Sequence, residues 1–200
     1  MYKDFKFSSS FNIDGRKIGK GERCFIIAEA GISHFGSKEK AYDLIDMAVN
    51  AKADAVKFQI FDIESLLVKG EIGWRDRLGP RMLTFHSFEN LKKYANDRGI
   101  IFMATAHDNP SLEFISSINV PAYKIGSGEL GNWEFIHKTA SYGKPVIIST
   151  GMYSKNDIND MMSVISKTKN KKIAILHCVT NYPTPLNDVN LRAMDIIKEY

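Results

Sequence analysis

Six short apolar runs, each followed by a stretch of helical periodicity, constrain the fold of this chain more than any other feature. The runs are Arg23-Cys-Phe-Ile-Ile-Ala-Glu-Ala-Gly31, Ala55-Val-Lys-Phe-Gln-Ile-Phe61, Ile100-Ile-Phe-Met-Ala-Thr-Ala-His-Asp108, Ala122-Tyr-Lys-Ile-Gly-Ser-Gly-Glu129, Val146-Ile-Ile-Ser-Thr-Gly-Met152 and Lys172-Ile-Ala-Ile-Leu-His-Cys178. Unbroken hydrophobicity of this kind suits strands covered on both faces, as in a parallel sheet. Between the runs, apolar residues recur at helical spacing: Ala41, Leu44, Ile45 and Ala48, then Phe88, Leu91 and Ala95, then Ile158, Met161, Met162 and Ile165. Strands alternating with helices imply right-handed crossovers in a parallel sheet. The spacing fits a doubly wound sheet or a (β/α)8 TIM barrel. The barrel is favoured, because each run carries its polar residues at its C-terminal end, where barrel enzymes keep their sites. The first turn, Gly31-Ile-Ser-His-Phe-Gly36, lacks the glycine spacing of a dinucleotide fingerprint.

Local signals divide the chain into residues 1–20, an N-terminal hairpin extension, and residues 21–200, an α/β barrel domain holding about six βα units. Phe11 to Ile18 alternates around Asp14-Gly15, the strongest short hairpin signal. Ser37, Ser87, and Asn187 or Asp188 are predicted helix caps. Asn109-Pro110 is a helix start, and Ser154 with Asp157 has capping-box spacing. Gly99 and Gly143 are predicted stops. Residues 62–85, with Trp74 and Arg75-Asp76-Arg77, make a long connection that is functional or partly helical.

The net charge of +4 is mild, and its one dense basic run, Lys167-Thr-Lys-Asn-Lys-Lys172, reads as a solvated helix-to-strand loop. No basic stripe with interleaved aromatics is present, which disfavours nucleic acid as a partner. No apolar run approaches the roughly 20 residues of a membrane span, so no membrane partner is expected and the cytoplasm is the default location. Two cysteines, Cys24 and Cys178, give neither a disulfide framework nor a paired-cysteine zinc site.

The strand ends collect Glu29, Lys57, Gln59, Thr105, His107, Lys124, Ser127, Glu129, Ser149, Thr150, His177, Thr180 and Tyr182. Two lysines with several hydroxyls suit a small substrate bearing phosphate and carboxylate. The carboxylates Glu29 and Glu129 supply acid or base candidates. A hydroxyl at one strand end is more often a helix cap, and a lone His177 is more often a satisfied core histidine. Lys57 and Lys124 lie inside apolar strands, where an unpaired ammonium is costly, so each calls for a partner or a ligand. Lys124, Ser127 and Glu129 are spread along one run, and a fully extended chain is expected to bring them to one side.

The segments Ile27-Ala-Glu-Ala-Gly-Ile-Ser-His34, Asp54-Ala-Val-Lys-Phe-Gln59, Lys124-Ile-Gly-Ser-Gly-Glu129, Ile148-Ser-Thr-Gly-Met152 and His177-Cys-Val-Thr-Asn-Tyr-Pro-Thr-Pro185 resemble the sialic acid synthase family, whose members make N-acetylneuraminate, legionaminate and pseudaminate. The resemblance runs from about residue 20 to the end. It implies condensation of phosphoenolpyruvate with an N-acetylated amino sugar such as N-acetylmannosamine, giving a nine-carbon 2-keto acid and phosphate. By motif match it implies that Lys57, Lys124, Ser127, Ser149 and Tyr182 hold phosphoenolpyruvate. Glu29 and Glu129 would face the sugar and the attacking water, with Lys57 among the catalytic groups and Gln59, Thr105 and Thr180 as neighbours.

The chain departs from the family pattern at Ser33, usually Asn, at Phe35, usually Asn or Asp, and at Ala104-Thr-Ala-His-Asp108, often Ser-Thr-Pro-Phe-Asp. The resemblance also implies a divalent metal, Mn2+ or Mg2+, whose two histidine ligands belong to strands beyond the six read here. No metal ligand is therefore assigned, and a homodimer is expected of the complete protein. Two further readings share the sequence. One is an inactive fragment that binds phosphoenolpyruvate or a partner chain. The other is a Schiff-base aldolase using Lys57 or Lys124 as nucleophile.

Overall fold

The computed structural model describes residues 4–200. The chain separates into two compact units: residues 13–121, and residues 122–200 together with the N-terminal segment up to Asn12. Ahead of the first unit's sheet, β1 (Ser10–Ile13) and β2 (Arg16–Gly19) form a two-stranded hairpin. Its turn residues Asp14 and Gly15 have φ of 46° and 80°. That left-handed pair is what Asp-Gly supplies in a tight hairpin.

The first unit holds a parallel sheet in the order β3 (Ile27–Gly31), β4 (Ala55–Ile60), β5 (Ile101–Ala106). Helices α1 (Lys38–Asn50), α4 (Phe85–Asp97) and α5 (Asn109–Ser117) pack on it. Between β4 and α4 run two short helices, α2 (Ile63–Leu66) and α3 (Gly73–Leu78). The long connection is thus partly helical. Phe58 anchors the core, stacked on Phe102 with ring centroids 5.8 Å apart and edge-on to Phe88 at 6.3 Å. All three are buried, so van der Waals contact and the aromatic quadrupoles act together.

The second unit holds β6 (Tyr123–Ile125), β7 (Val146–Ser149) and β8 (Ile173–Leu176), parallel and in that order. Helices α6 (Trp133–Ser141) and α7 (Lys155–Ser166) pack against each other, and α8 (Ala193–Ile197) closes the chain. Ile125, Ile136, Ile148, Met161, Met162 and Ile165 form its core. Asn170, 4% exposed, donates to the carbonyls of Ala140 and Lys144 at 3.1 and 2.7 Å and accepts the Lys172 N–H at 3.0 Å. One buried amide thereby ties the end of α6 and the loop after it to the turn that leads into β8.

Most local signals acted where the sequence placed them. Ser37 accepts the Lys40 N–H, and Ser154 with Asp157 forms the reciprocal capping box. Gly99 and Gly143 stand just past α4 and α6 with φ of 73° and 72°. Two caps are corrected. The cap of α4 is Thr84, which accepts the Ser87 N–H, while Ser87 is a buried residue of the first helical turn. The two hydroxyls bond each other at 2.8 Å, so the earlier threonine captures the free N–H. At the C-terminal end Leu186–Asp188 is a single 3-10 turn, and α8 begins only after Arg192. Among the described residues no helix is long and apolar enough to cross a membrane.

Candidate active site

In the first unit the register sets Glu29 opposite Lys57 and Gln59 opposite Thr105. Lys57 is the central group. Its side chain is 8% exposed and forms an ion pair with Glu29, whose side chain is 49% exposed. It also donates to the Thr105 hydroxyl at 3.3 Å. The ammonium that the sequence left without a partner is therefore held between a carboxylate and a hydroxyl, which offsets its desolvation. The register of β3 against β4 shifts between Glu29 and Gly31. A Cβ on Gly31 would lie 3.3 Å from Glu29 Oε1 and 3.6 Å from Gln59 Nε2. The left-handed glycine, φ 55°, thus keeps the space between these two side chains clear.

The loops beyond these strand ends are pinned by two residues for which the sequence reading proposed no role. Asp108, 6% exposed, accepts the Asp62 N–H and the Ser111 N–H, each at 2.7 Å. One carboxylate caps α5 and fastens the start of the β4–α4 connection. Its signal was its place just before Asn109-Pro110. His34, 1% exposed, accepts the Gly36 N–H at Nδ1, 3.1 Å. The ring proton of the neutral form then sits on Nε2, and burial lowers its pKa. Phe35, at φ 50°, lies 56% exposed with Lys40 and Arg81 over its ring at 5.7 and 5.1 Å.

The second unit carries the other candidates. The strand β6 ends at Ile125, and Ser127–Glu129 curls into a 3-10 turn. The extended, one-sided display of Lys124, Ser127 and Glu129 does not form. Lys124 and Ser127 differ in strand parity, and the chain leaves the strand between them. The turn instead brings separate partners to each. Lys124 donates to the Ser149 hydroxyl at 2.7 Å and to the Ile125 carbonyl at 2.8 Å. The Ser127 hydroxyl accepts the Gly151 N–H at 2.9 Å. Glu129 accepts from the Asn132 side chain at 2.8 Å. Burial raises its pKa, against the opposing pull of that hydrogen bond.

Thr150 donates to the Leu176 carbonyl at 2.8 Å, linking the ends of β7 and β8. A Cβ on Gly151 would fall 2.5 Å from Thr180 Oγ1, so Thr180 lies hard against this glycine. Tyr182 is 91% exposed and makes no hydrogen bond among the described residues. It stands outside the cluster. His177 is half-buried. Among the described residues no three of His, Cys, Asp and Glu gather closely enough to hold a metal ion. The residues present thus do not fit the divalent metal that the resemblance implies.

These strand ends define an α/β chain with the βα units of a TIM barrel, carrying lysine, hydroxyl and carboxylate groups at the C-terminal ends of its strands. A profile of the NeuB family matches residues 44–200, and the chain belongs to that family. It is 35% identical to N-acetylneuraminate-9-phosphate synthase of Homo sapiens, covering 93% of this chain and 54% of that protein. It is 34% identical to N,N'-diacetyllegionaminic acid synthase of Legionella pneumophila, covering 96% of this chain and 59% of that one. The crystal structure of N-acetylneuraminic acid synthetase from Leptospira borgpetersenii, in complex with citrate, matches with a TM-score of 0.89 and 34% identity, over 98% of this chain and 68% of that chain. The chain spans about half the length of the curated relatives it matches.

Proposed function

We propose that the protein containing this chain condenses phosphoenolpyruvate with an N-acetylated amino sugar to give a nonulosonate, releasing phosphate. The observation that carries this reading is the Lys124–Ser149 hydrogen bond beside the Ser127–Gly151 clasp. It fixes a compact cation among hydroxyls and a backbone amide, a setting suited to phosphate or carboxylate. The family membership and the names of the relatives point the same way.

In this reaction C3 of phosphoenolpyruvate bonds the aldehyde carbon of the open-chain sugar, and the aldehyde oxygen takes up a proton. A water oxygen bonds C2 and gives up one proton. The C2–O bond to phosphate then breaks as the new C2 hydroxyl gives up its second proton and becomes the ketone, so that of the two protons one ends on the former aldehyde oxygen and the other on the released phosphate. Lys124, with Ser127 and Ser149, supplies positive charge and hydroxyl contacts to the phosphate or carboxylate. Burial raises the pKa of Glu129, which makes its carboxylate a stronger base than an exposed glutamate. We assign it to the proton of the attacking water. Glu29, held beside the Lys57 ammonium, faces the sugar, with Gln59 and Thr105 flanking it. Thr180 and Tyr182 complete the proposed substrate contacts.

The test is the protein encoded by the complete gene, incubated with phosphoenolpyruvate, N-acetylmannosamine or a diacetamido sugar, and Mn2+. Phosphate release matched one-to-one by a nine-carbon 2-keto acid is the expected result. No sugar-dependent phosphate release with any N-acetylated amino sugar would overturn the reading.

A further inference from the structure

Asn132 holds Glu129 twice. Its N–H donates to the Glu129 carbonyl at 3.0 Å, and its side-chain amide donates to Glu129 Oε2 at 2.8 Å. The chain between them is a type II turn. Leu130 has φ −54° and ψ 124°, and Gly131, at φ +85°, takes the left-handed third position that this turn requires. The turn returns the chain on itself, so its first and fourth residues lie side by side. Asn132 is also the N-cap of α6, where its side-chain oxygen accepts the Phe135 N–H. A cap alone would account for an asparagine here. The distances rank the two bonds. The cap bond is 3.4 Å, past the usual range, whereas 2.8 Å to the carboxylate is that of a charge-assisted pair. The amide can face only one way, since Phe135 offers a donor and an ionised Glu129 an acceptor.

We propose that Asn132 is a positioning residue for Glu129: its amide fixes Oε2 of the carboxylate and leaves Oε1 to take the proton of the attacking water. The inference rests on the synthase reading for the identity of that proton donor. The hold on the carboxylate is a property of this chain. Glu129 is half-buried rather than sealed off. Burial raises its pKa, and the Asn132 bond opposes that rise by favouring the ionised form. The charged residues of the neighbouring elements are Glu134 in the first turn of α6, Asp157 in that of α7, and Lys124 of β6, which is held by Ser149 and the Ile125 carbonyl. Burial, with the charges of Glu129 and Asp157, pushes the Tyr153 phenol up to about 12, so it stays protonated through the neutral range.

The experiment compares wild type with Asn132→Ala and Asn132→Asp in the protein encoded by the complete gene. Alanine removes both side-chain bonds, whereas aspartate keeps the cap and loses the donor. Three quantities are read: melting temperature, kcat against pH, and the titration midpoint of the Glu129 carboxyl by carbon NMR, its signal assigned by its absence in Glu129→Gln. Without the donor the ionised carboxylate is less favoured. The midpoint and the acid limb of kcat should therefore move to higher pH in both variants, and kcat at neutral pH should fall about fivefold. Alanine carries no charge, so its displacement isolates the lost donor from the repulsion that aspartate adds. Aspartate should melt like wild type while its midpoint and acid limb stay displaced. A midpoint and acid limb that match wild type in either variant would reduce Asn132 to a helix cap and overturn the inference, leaving the synthase reading standing. Displaced midpoints in a protein that consumes no sugar would uphold the hold of Asn132 on Glu129 and overturn the synthase reading instead.

Discussion

Lys124 and Ser149 lie on neighbouring parallel strands, and the lysine ammonium donates to the serine hydroxyl across them at 2.7 Å. Ser149 is 9% exposed, so the bond fixes where the ammonium points. Removing the cation should weaken binding of an anionic substrate by the worth of one charge-assisted contact, about 1.5–3 kcal/mol. Lys124→Ala is expected to raise the KM for phosphoenolpyruvate at least about tenfold. Steady-state kinetics check this, and an unchanged KM would remove Lys124 from the site. Ser149→Ala should produce a smaller rise, because the ammonium survives but loses its tether.

Glu129→Gln keeps the shape and the Asn132 neighbour while removing the ionisable group. It should lower kcat with little change in melting at acid pH. The native state raises this carboxyl's pKa through burial. The folded protein therefore binds more protons than the unfolded chain between the two values, and its stability falls as pH rises through that window. Relative to wild type, the Gln variant should gain stability as pH climbs from the ordinary glutamate range through the raised value. Thermal melts across that range decide it, and a parallel pair of curves would refute the burial argument.

The Glu29–Lys57 pair is asymmetric, with the lysine buried and the glutamate half-exposed. Glu29→Gln leaves a buried ammonium with the Thr105 hydroxyl as its remaining described partner, at a cost of about 1–3 kcal/mol. Lys57→Met removes the buried charge and frees Glu29 to water. Urea unfolding should accordingly rank Glu29→Gln as the more damaging of the two. The reverse order would mean that the lysine stem packs more than its charge costs.

Gly36 has φ +80°, and a Cβ there would sit 2.3 Å from the Pro80 carbonyl oxygen. Backbone strain and a clash with backbone coincide, so Gly36→Ala should cost about 2 kcal/mol or more. The β3–α1 loop would lift off the turn at Gly79–Arg81. Faster proteolysis within residues 62–85 would report this, and wild-type protection would contradict it.

Both candidate lysines are hydrogen-bonded, Lys57 also in an ion pair. With its protons donated to these partners, neither nitrogen offers the lone pair that a Schiff base needs. Borohydride treatment with pyruvate or an aldehyde sugar should leave both unlabelled by peptide mass. A stable adduct on either residue would revive the aldolase reading.

The sequence by itself determined the order of elements, because an unbroken apolar run and a helical stripe each bury in only one way. It also determined the hairpin at Asp14-Gly15 and the polar character of the strand ends, which follow from backbone sterics and from chain direction in a parallel sheet. It could not tell which residue would pair with Lys57, since Glu29 and Thr105 lie far from it in sequence and meet it only through strand register. Nor could it foresee that the chain turns after Ile125, because Gly126 and Gly128 permit extended and curled backbones alike. Thr84 displaced Ser87 as a cap through the position at which α4 began. Propensity and periodicity act over a few residues, whereas burial, register and hydrogen-bond satisfaction are settled between segments tens of residues apart, so only the tertiary structure could decide them.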